Sequence, residues 1–191
     1  MRNIAGRILI VLGALLLAAS LTLLGYNQWQ NQQAEAASRA LLEQMQPHLT
    51  DSVQQPPPAQ NEMPTVTLDG QTYVGVLSIP ALALELPVME NWSYPGLKIA
   101  PCRFYGTVAQ NNLVVMAHNY RKHFGNINQL LVGDAVSFTD ANGHTTHYTV
   151  AEKDVLNPYA VTEATAGDYD LTLFTCTYGG RSRVTVYCNR A

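Results

Sequence analysis

The run Ile8 to Leu24, ILIVLGALLLAASLTLL, constrains this chain more than any other stretch. Its roughly seventeen residues carry no charge, and Ser20 and Thr22 are its only hydroxyl side chains. A helix apolar on every face has no amphipathic stripe to lay on a soluble core. At this length it stands at the short end of what crosses a bilayer. Arg2 and Arg7 precede it, so the positive-inside rule puts the N-terminus in the cytoplasm and everything past about residue 26 outside. A cleaved secretory signal is the alternative. Ala18-Ala19-Ser20 offers small residues for cleavage, but the apolar run continues past them to Leu24. Both readings export the rest of the chain.

What is exported must fold without many charges. The chain has 191 residues, a net charge of −3 and 13% charged side chains, enough for one ordinary domain plus an appendage. Lys and Arg form no block beyond Arg121-Lys122, which leaves no basic footprint for nucleic acid. Three cysteines are an odd number for an exported chain. At least one thiol therefore stays unpaired or pairs with another molecule.

Texture divides the chain into three parts. Residues 1–26 hold the cytoplasmic end and the anchor. Residues 27–64 begin rich in Gln, Ala and Glu, good helix formers, with Ala40, Leu41, Leu42 and Met45 as a weak apolar stripe. Pro47 is expected to end that helix, and Pro56-Pro57-Pro58 to form a stiff extended run. This part reads as a stalk lifting the domain off the membrane, or as a disordered linker. From Thr65 to Ala191 the chain is β-prone. Asp69-Gly70 and Asn142-Gly143 are hairpin turn signals, the second between Val136-Ser-Phe138 and Tyr148-Thr-Val150. Further strands are expected at Leu82–Val88, Leu113–Met116, Leu171–Thr175 and Val184–Tyr187. Residues 126–131 are the one helical patch. Many short strands between turns predict a sandwich or a closed barrel.

Two strands end on reactive side chains. LTLFTC ends on Cys176, and LVVMA leads into His118 and Asn119. A strand end is where a side chain reaches a cleft, and a thiol nucleophile needs a base and oxyanion donors nearby. Cysteine is often just a small buried hydrophobe, so its company decides. Cys102 lies in an irregular stretch after Pro101, and Cys188 in the last strand. Of the five histidines, His48 is in the stalk, His144 and His147 alternate with threonines on solvated strand positions, and His123 sits in a loop beside Lys122. His118 alone stands at a strand end. Arg183 begins the last strand, and its guanidinium donates several hydrogen bonds while staying charged. Arg181, two residues earlier in the glycine turn, suits a solvated role better.

LTLFTC resembles the TLxTC signature of sortases, cysteine transpeptidases of bacterial cell surfaces. RVTVYC resembles their last strand, VVMAHNY the segment carrying their histidine, and GVLSIPALALELPVME their opening strands. The order His, Cys, Arg agrees, and the resemblance covers about residues 65–191. It implies an all-β, eight-stranded closed barrel behind an N-terminal transmembrane helix and stalk. It implies Cys176 as nucleophile, His118 as general acid/base and Arg183 as the group steadying the substrate backbone and oxyanion. Thr175 is the signature threonine, and Asn119 and Arg181 are the accompanying substrate-binding candidates. The implied substrates are secreted proteins bearing a C-terminal sorting motif, with an amine of a peptidoglycan precursor or a pilin as acceptor. No metal or organic cofactor is implied; some relatives bind calcium, and no carboxylate cluster in this chain argues for it. The resemblance favours a class B-like or other non-A branch.

Pilin-polymerising sortases usually carry an Asp-Pro-aromatic lid motif before the barrel and often a second membrane segment after it. Neither is found here, which favours an anchoring enzyme. Cys102 and Cys188 are expected to pair, leaving Cys176 free. Motif selection is expected to depend on the loop between Ala151 and Asp170. Two rival readings stand beside this one. One is another exported thiol enzyme, a cysteine peptidase or an L,D-transpeptidase-like wall enzyme, although the latter place His and Cys in one short motif. The other is a membrane-tethered β-barrel that binds surface ligands, with Cys176 buried and inert.

Overall fold

The computed structural model describes residues 2–51, 62–159, 165–166 and 168–191. The triple-proline run lies outside these residues. Nine strands follow one long helix: β1 (Val66–Leu68), β2 (Gln71–Ile79), β3 (Leu84–Met89), β4 (Cys102–Tyr105), β5 (Leu113–Ala117), β6 (Ala135–Asp140), β7 (Thr145–Leu156), β8 (Leu171–Cys176) and β9 (Arg183–Arg190). They are hydrogen-bonded in the order β1-β2-β3-β4-β5-β8-β9-β7-β6, and β6 pairs back onto β2. β2 to β9 therefore make a closed eight-stranded ring, as expected. β1 is an extra strand, paired to the start of β2 before β6 takes over.

Strand alternation fills the barrel. Leu77, Val115, Phe138, Val150, Leu173 and Val186 point inward and are almost wholly buried. The expected strands are present, and one was missed. Cys102–Tyr105, read as irregular, pairs with β5 because Cys102 opposes Met116 and packs with Met89 in a second, outer cluster. The loop expected from Ala151 to Asp170 is shorter, since β7 runs on to Leu156. Its residues 160–164 and 167 lie outside the described part. The helical patch near residue 126 is a single 3-10 turn, Ile127–Gln129.

The helix α1 runs unbroken from Arg2 to Asp51 and contains Pro47. Proline was expected to end it. It sits one turn from the helix end, so it removes only one intrahelical hydrogen bond. Packing opposes that loss. Ala34, Ser38, Leu41 and Met45 fall on one face and are buried. Leu41 and Met45 join Leu68, Tyr73 and Val76 in the outer cluster, burial worth roughly 2 kcal/mol for each apolar side chain. The second half of α1 is thus laid along the barrel. Its first half is exposed apolar surface, and among the described residues it is the one helix long and apolar enough to cross a membrane.

Gly75 marks where β2 exchanges β1 for β6 as its edge partner. Its φ is +154°, and a Cβ there would run into the Thr139 carbonyl oxygen and the Phe138 ring. Both belong to the strand that closes the barrel. Gly75→Ala is therefore expected to lower stability by roughly 3 kcal/mol, read as a fall in Tm. Gly70→Ala, in an open turn, is expected to cost about 1 kcal/mol.

Candidate active site

One rim of the barrel gathers three strand ends. β8 runs parallel to β5, with Thr175 beside Ala117, so Cys176 and His118 leave the sheet next to one another. β9 runs antiparallel to β8, and the register sets Arg183 opposite Cys176. Leu171 and Leu173 face inward, so Phe174 and Cys176 face out, and Arg183 shares that side of β9. His118, Cys176 and Arg183 are all partly exposed.

Thr175 points the other way. It is buried, and its hydroxyl donates a 2.8 Å hydrogen bond to the Ala117 carbonyl. That bond ties the end of β8 to the end of β5, immediately before Cys176 and His118. The side chain was expected beside a substrate; here it holds the two strand ends together.

The β8–β9 connection is a tight turn. Thr177 N–H donates to the Ser182 carbonyl at 3.0 Å, and Gly180 N–H to the Thr177 carbonyl at 2.8 Å. Gly179 and Gly180 both have positive φ, +82° and +70°, a conformation that disfavours any residue with a Cβ. Arg183 Nη1 donates to the Gly180 and Ser182 carbonyls, each at 3.1 Å, so the guanidinium is held by this turn. Arg181 is exposed at the turn's tip, and Asn119 is half-buried after His118.

Burial sorts the three thiols. Cys102 is pushed up to about 11 by burial, against a weaker opposing backbone hydrogen bond at Ser93. Cys188, inside the barrel, is pushed up to about 12 by burial. Both are fully buried and protonated at neutral pH, whereas Cys176 is reachable. The expected pairing of Cys102 with Cys188 does not occur. One lies in the outer cluster and the other in the barrel core, and both are free thiols.

His118 stands in an aromatic column. Its ring lies 4.9 Å from that of Tyr120, which lies 5.5 Å from the ring of His123. Burial, then the charge of Lys98, lowers the His118 pKa and favours the neutral imidazole. Tyr120 is pushed up by burial and then by Tyr26 of α1. His123 is wholly buried, and neither ring nitrogen has a partner among the described residues. Burial first, and then the charge of His118, push it down to about 4. Sequence reading placed it in a loop beside Lys122 and did not anticipate its burial. The signal lay in its C-terminal neighbours, since Phe124, Ile127 and Leu130 are all core residues.

From Cys176 an aromatic track leads along the outer face. Phe174 meets Phe104 edge-on at 5.3 Å, Phe104 lies 6.1 Å from Trp92, and Trp92 meets Tyr94 at 5.7 Å. A cavity of about 440 Å³ opens beside its middle members Phe104 and Trp92, lined also by Glu90, Arg103, Tyr105 and Gln110. It lies off the strand-end trio and joins it through Phe104 and Phe174.

The sortase domain model matches residues 77–191. No curated protein matches the chain. Among solved structures, sortase C-1 from Actinomyces oris is 24% identical at a TM-score of 0.54, over 61% of this chain and 73% of that one. Sortase A from Corynebacterium diphtheriae is 19% identical at a TM-score of 0.58, over 87% and 94%. The Sortase D5 transpeptidase from Clostridium perfringens is 18% identical at a TM-score of 0.60, over 84% and 99%. At these identities the likeness is one of fold.

The burial of thiols and imidazoles has two measurable consequences. A small alkylating reagent is expected to modify one thiol in the folded protein, lost in Cys176→Ala, and all three after denaturation; rapid reaction of Cys102 or Cys188 in the native state would contradict the sorting. His123 binds its proton more weakly folded than unfolded, so its contribution to stability is complete above about pH 6.5 and is lost as pH falls toward 4. The loss is about 3 kcal/mol. Denaturant unfolding at pH 7 and pH 4.5 is expected to show this slope in the wild type and a shallower one in His123→Leu.

Proposed function

This chain belongs to the sortase family, the cysteine transpeptidases of the cell surface, and we propose that it works from the membrane on exported proteins bearing a C-terminal sorting motif. Residues 1–26 are assigned to the cytoplasmic end and anchor, 27–64 to the connecting segment and 65–191 to the catalytic barrel outside. The acceptor is assigned as an amine of the cell wall or of a pilin. The absence of an Asp-Pro-aromatic motif between residues 27 and 75 supports wall anchoring over pilus polymerisation.

The observation that carries the assignment of roles is the register that sets His118 and Arg183 on either side of Cys176. In the proposed reaction the Cys176 thiol gives its proton to neutral His118, and Sγ bonds to the scissile carbonyl carbon. The oxyanion draws N–H donors from Arg183, already held at the turn. Collapse breaks the C–N bond as His118 returns the proton to the leaving amine, and a thioester remains. An incoming amine loses a proton to His118, attacks the thioester carbonyl and displaces the Cys176 thiolate. Arg181 and Asn119 are assigned to contact the substrates. Thr175 serves by fixing the strand ends. The aromatic track is assigned to the peptide flanking the motif.

With a panel of motif peptides and an added amine, the soluble barrel is expected to form the transfer product. Cys176→Ala is expected to form none, and Arg183→Lys to lose roughly 100-fold in kcat/KM. Full activity in either variant would overturn these roles. Because the neutral form of His118 accepts the first proton, the acid limb of kcat/KM is expected below the ordinary histidine range. Lys98→Met removes a charge that lowers the His118 pKa, so it is expected to move that limb upward.

A further inference from the structure

We propose that α1 is a rigid ruler that holds the His118 loop at the lipid headgroup layer, so that the enzyme meets its substrates at the membrane surface. The inference rests on the membrane-anchor reading of residues 1–26. It goes further, because the segment after the anchor is not a free stalk.

The helix is continuous from the apolar run to Asp51, with no break between the part that would lie in lipid and the part laid on the barrel. It grips the segment that follows His118. Arg121 N–H donates to Asn31 Oδ1 at 2.9 Å, and Lys122 Nζ pairs with Glu35 Oε1 at 3.0 Å. Further along, Gln44 donates to Asp69, and Leu41 and Met45 pack under β1 and β2. Grips at both ends of the packed half fix the tilt of the barrel against the helix.

The helical rise then sets heights. Asn31 follows Leu24 by seven residues, about 10 Å along the axis, whereas Gln44 stands about 30 Å out. The headgroup layer on each side of a bilayer is roughly 5–8 Å deep. Tyr26 and Trp29, rings 6.1 Å apart and exposed, fall between Leu24 and Asn31, where aromatic side chains settle at membrane interfaces. The loop after His118 therefore lies at the outer edge of the headgroup layer. Arg121 is exposed there and has no carboxylate partner among the described residues, which suits a surface of phosphates. The opposite end of the barrel, at Asp69 and Gln71, stands away from the lipid.

The test uses the full chain with Cys176→Ala, reconstituted in phosphatidylcholine–phosphatidylglycerol vesicles containing a headgroup-spin-labelled lipid. A fluorophore is attached to a single new cysteine, Arg121→Cys or Gln71→Cys. Strong quenching at 121 and little at 71 is expected. A seven-residue helical insertion between Leu24 and Gly25 lengthens the ruler by about 10 Å and nearly preserves its facing. It raises position 121 to about 20 Å beyond Leu24 and is expected to cut quenching there several-fold. Vesicle-bound protein quenched equally at the two positions, or unaffected by the insertion, would overturn the ruler and leave the anchor standing. Protein that does not float with the vesicles would overturn the anchor and the ruler together.

Discussion

The arrangement depends on a parallel pairing closed by one buried hydrogen bond, from Thr175 Oγ1 to the Ala117 carbonyl. Parallel strands reached from distant parts of a chain have no hairpin turn to set their register. Here the register is set by apolar side chains on both faces and by this bond at the last position before the site. A slip of one residue would exchange the inner and outer faces of β8. Phe174 would enter the barrel, and Cys176 would no longer stand beside the residue after Ala117. The chemistry therefore rests on β-sheet geometry, and the hairpin to β9 adds Arg183 with the same definition.

Around that frame the protein separates reactive from inert by burial. Three thiols share one chemistry, yet two are enclosed in apolar clusters that oppose ionisation and the third stands at the rim. The imidazoles divide the same way. His123 is kept neutral inside, His118 is held less deeply with Tyr120 between them, and His144 and His147 are solvated. The tight glycine turn adds a fixed cation, since Arg183 is held by the Gly180 and Ser182 backbone carbonyls and has no carboxylate partner among the described residues.

The barrel and the strand-end residues were legible because the signals are local. Apolar runs stopped by Cys176 and by His118, and turn dipeptides at Asp69-Gly70 and Asn142-Gly143, need no partner to be read. What was missed depends on distant packing. β4 has no clean alternation, and it is a strand because Cys102 meets Met116 across the sheet. The stripe Ala40, Leu41, Leu42 and Met45 looked weak alone, and Leu41 and Met45 are buried once β1 and β2 lie under them. Pro47 was expected to stop a helix that this contact continues. The pairing of Cys102 with Cys188 was arithmetic on an odd number of thiols, and only the three-dimensional separation of two clusters shows why it does not form. Thr175 was legible as part of a signature, but the direction of its side chain follows from the inward parity of β8.

The central claim is that Cys176, set beside His118 and Arg183 by strand register, is the acyl-carrying thiol. It is tested most directly by intact mass of the barrel, quenched within seconds of mixing with motif peptides, and by peptide mapping of the adduct. The account predicts a thioester mapped to Cys176 that disappears on adding an amine. An adduct mapped to Cys102 or Cys188, or turnover of a motif peptide by the Cys176→Ala protein, would contradict it.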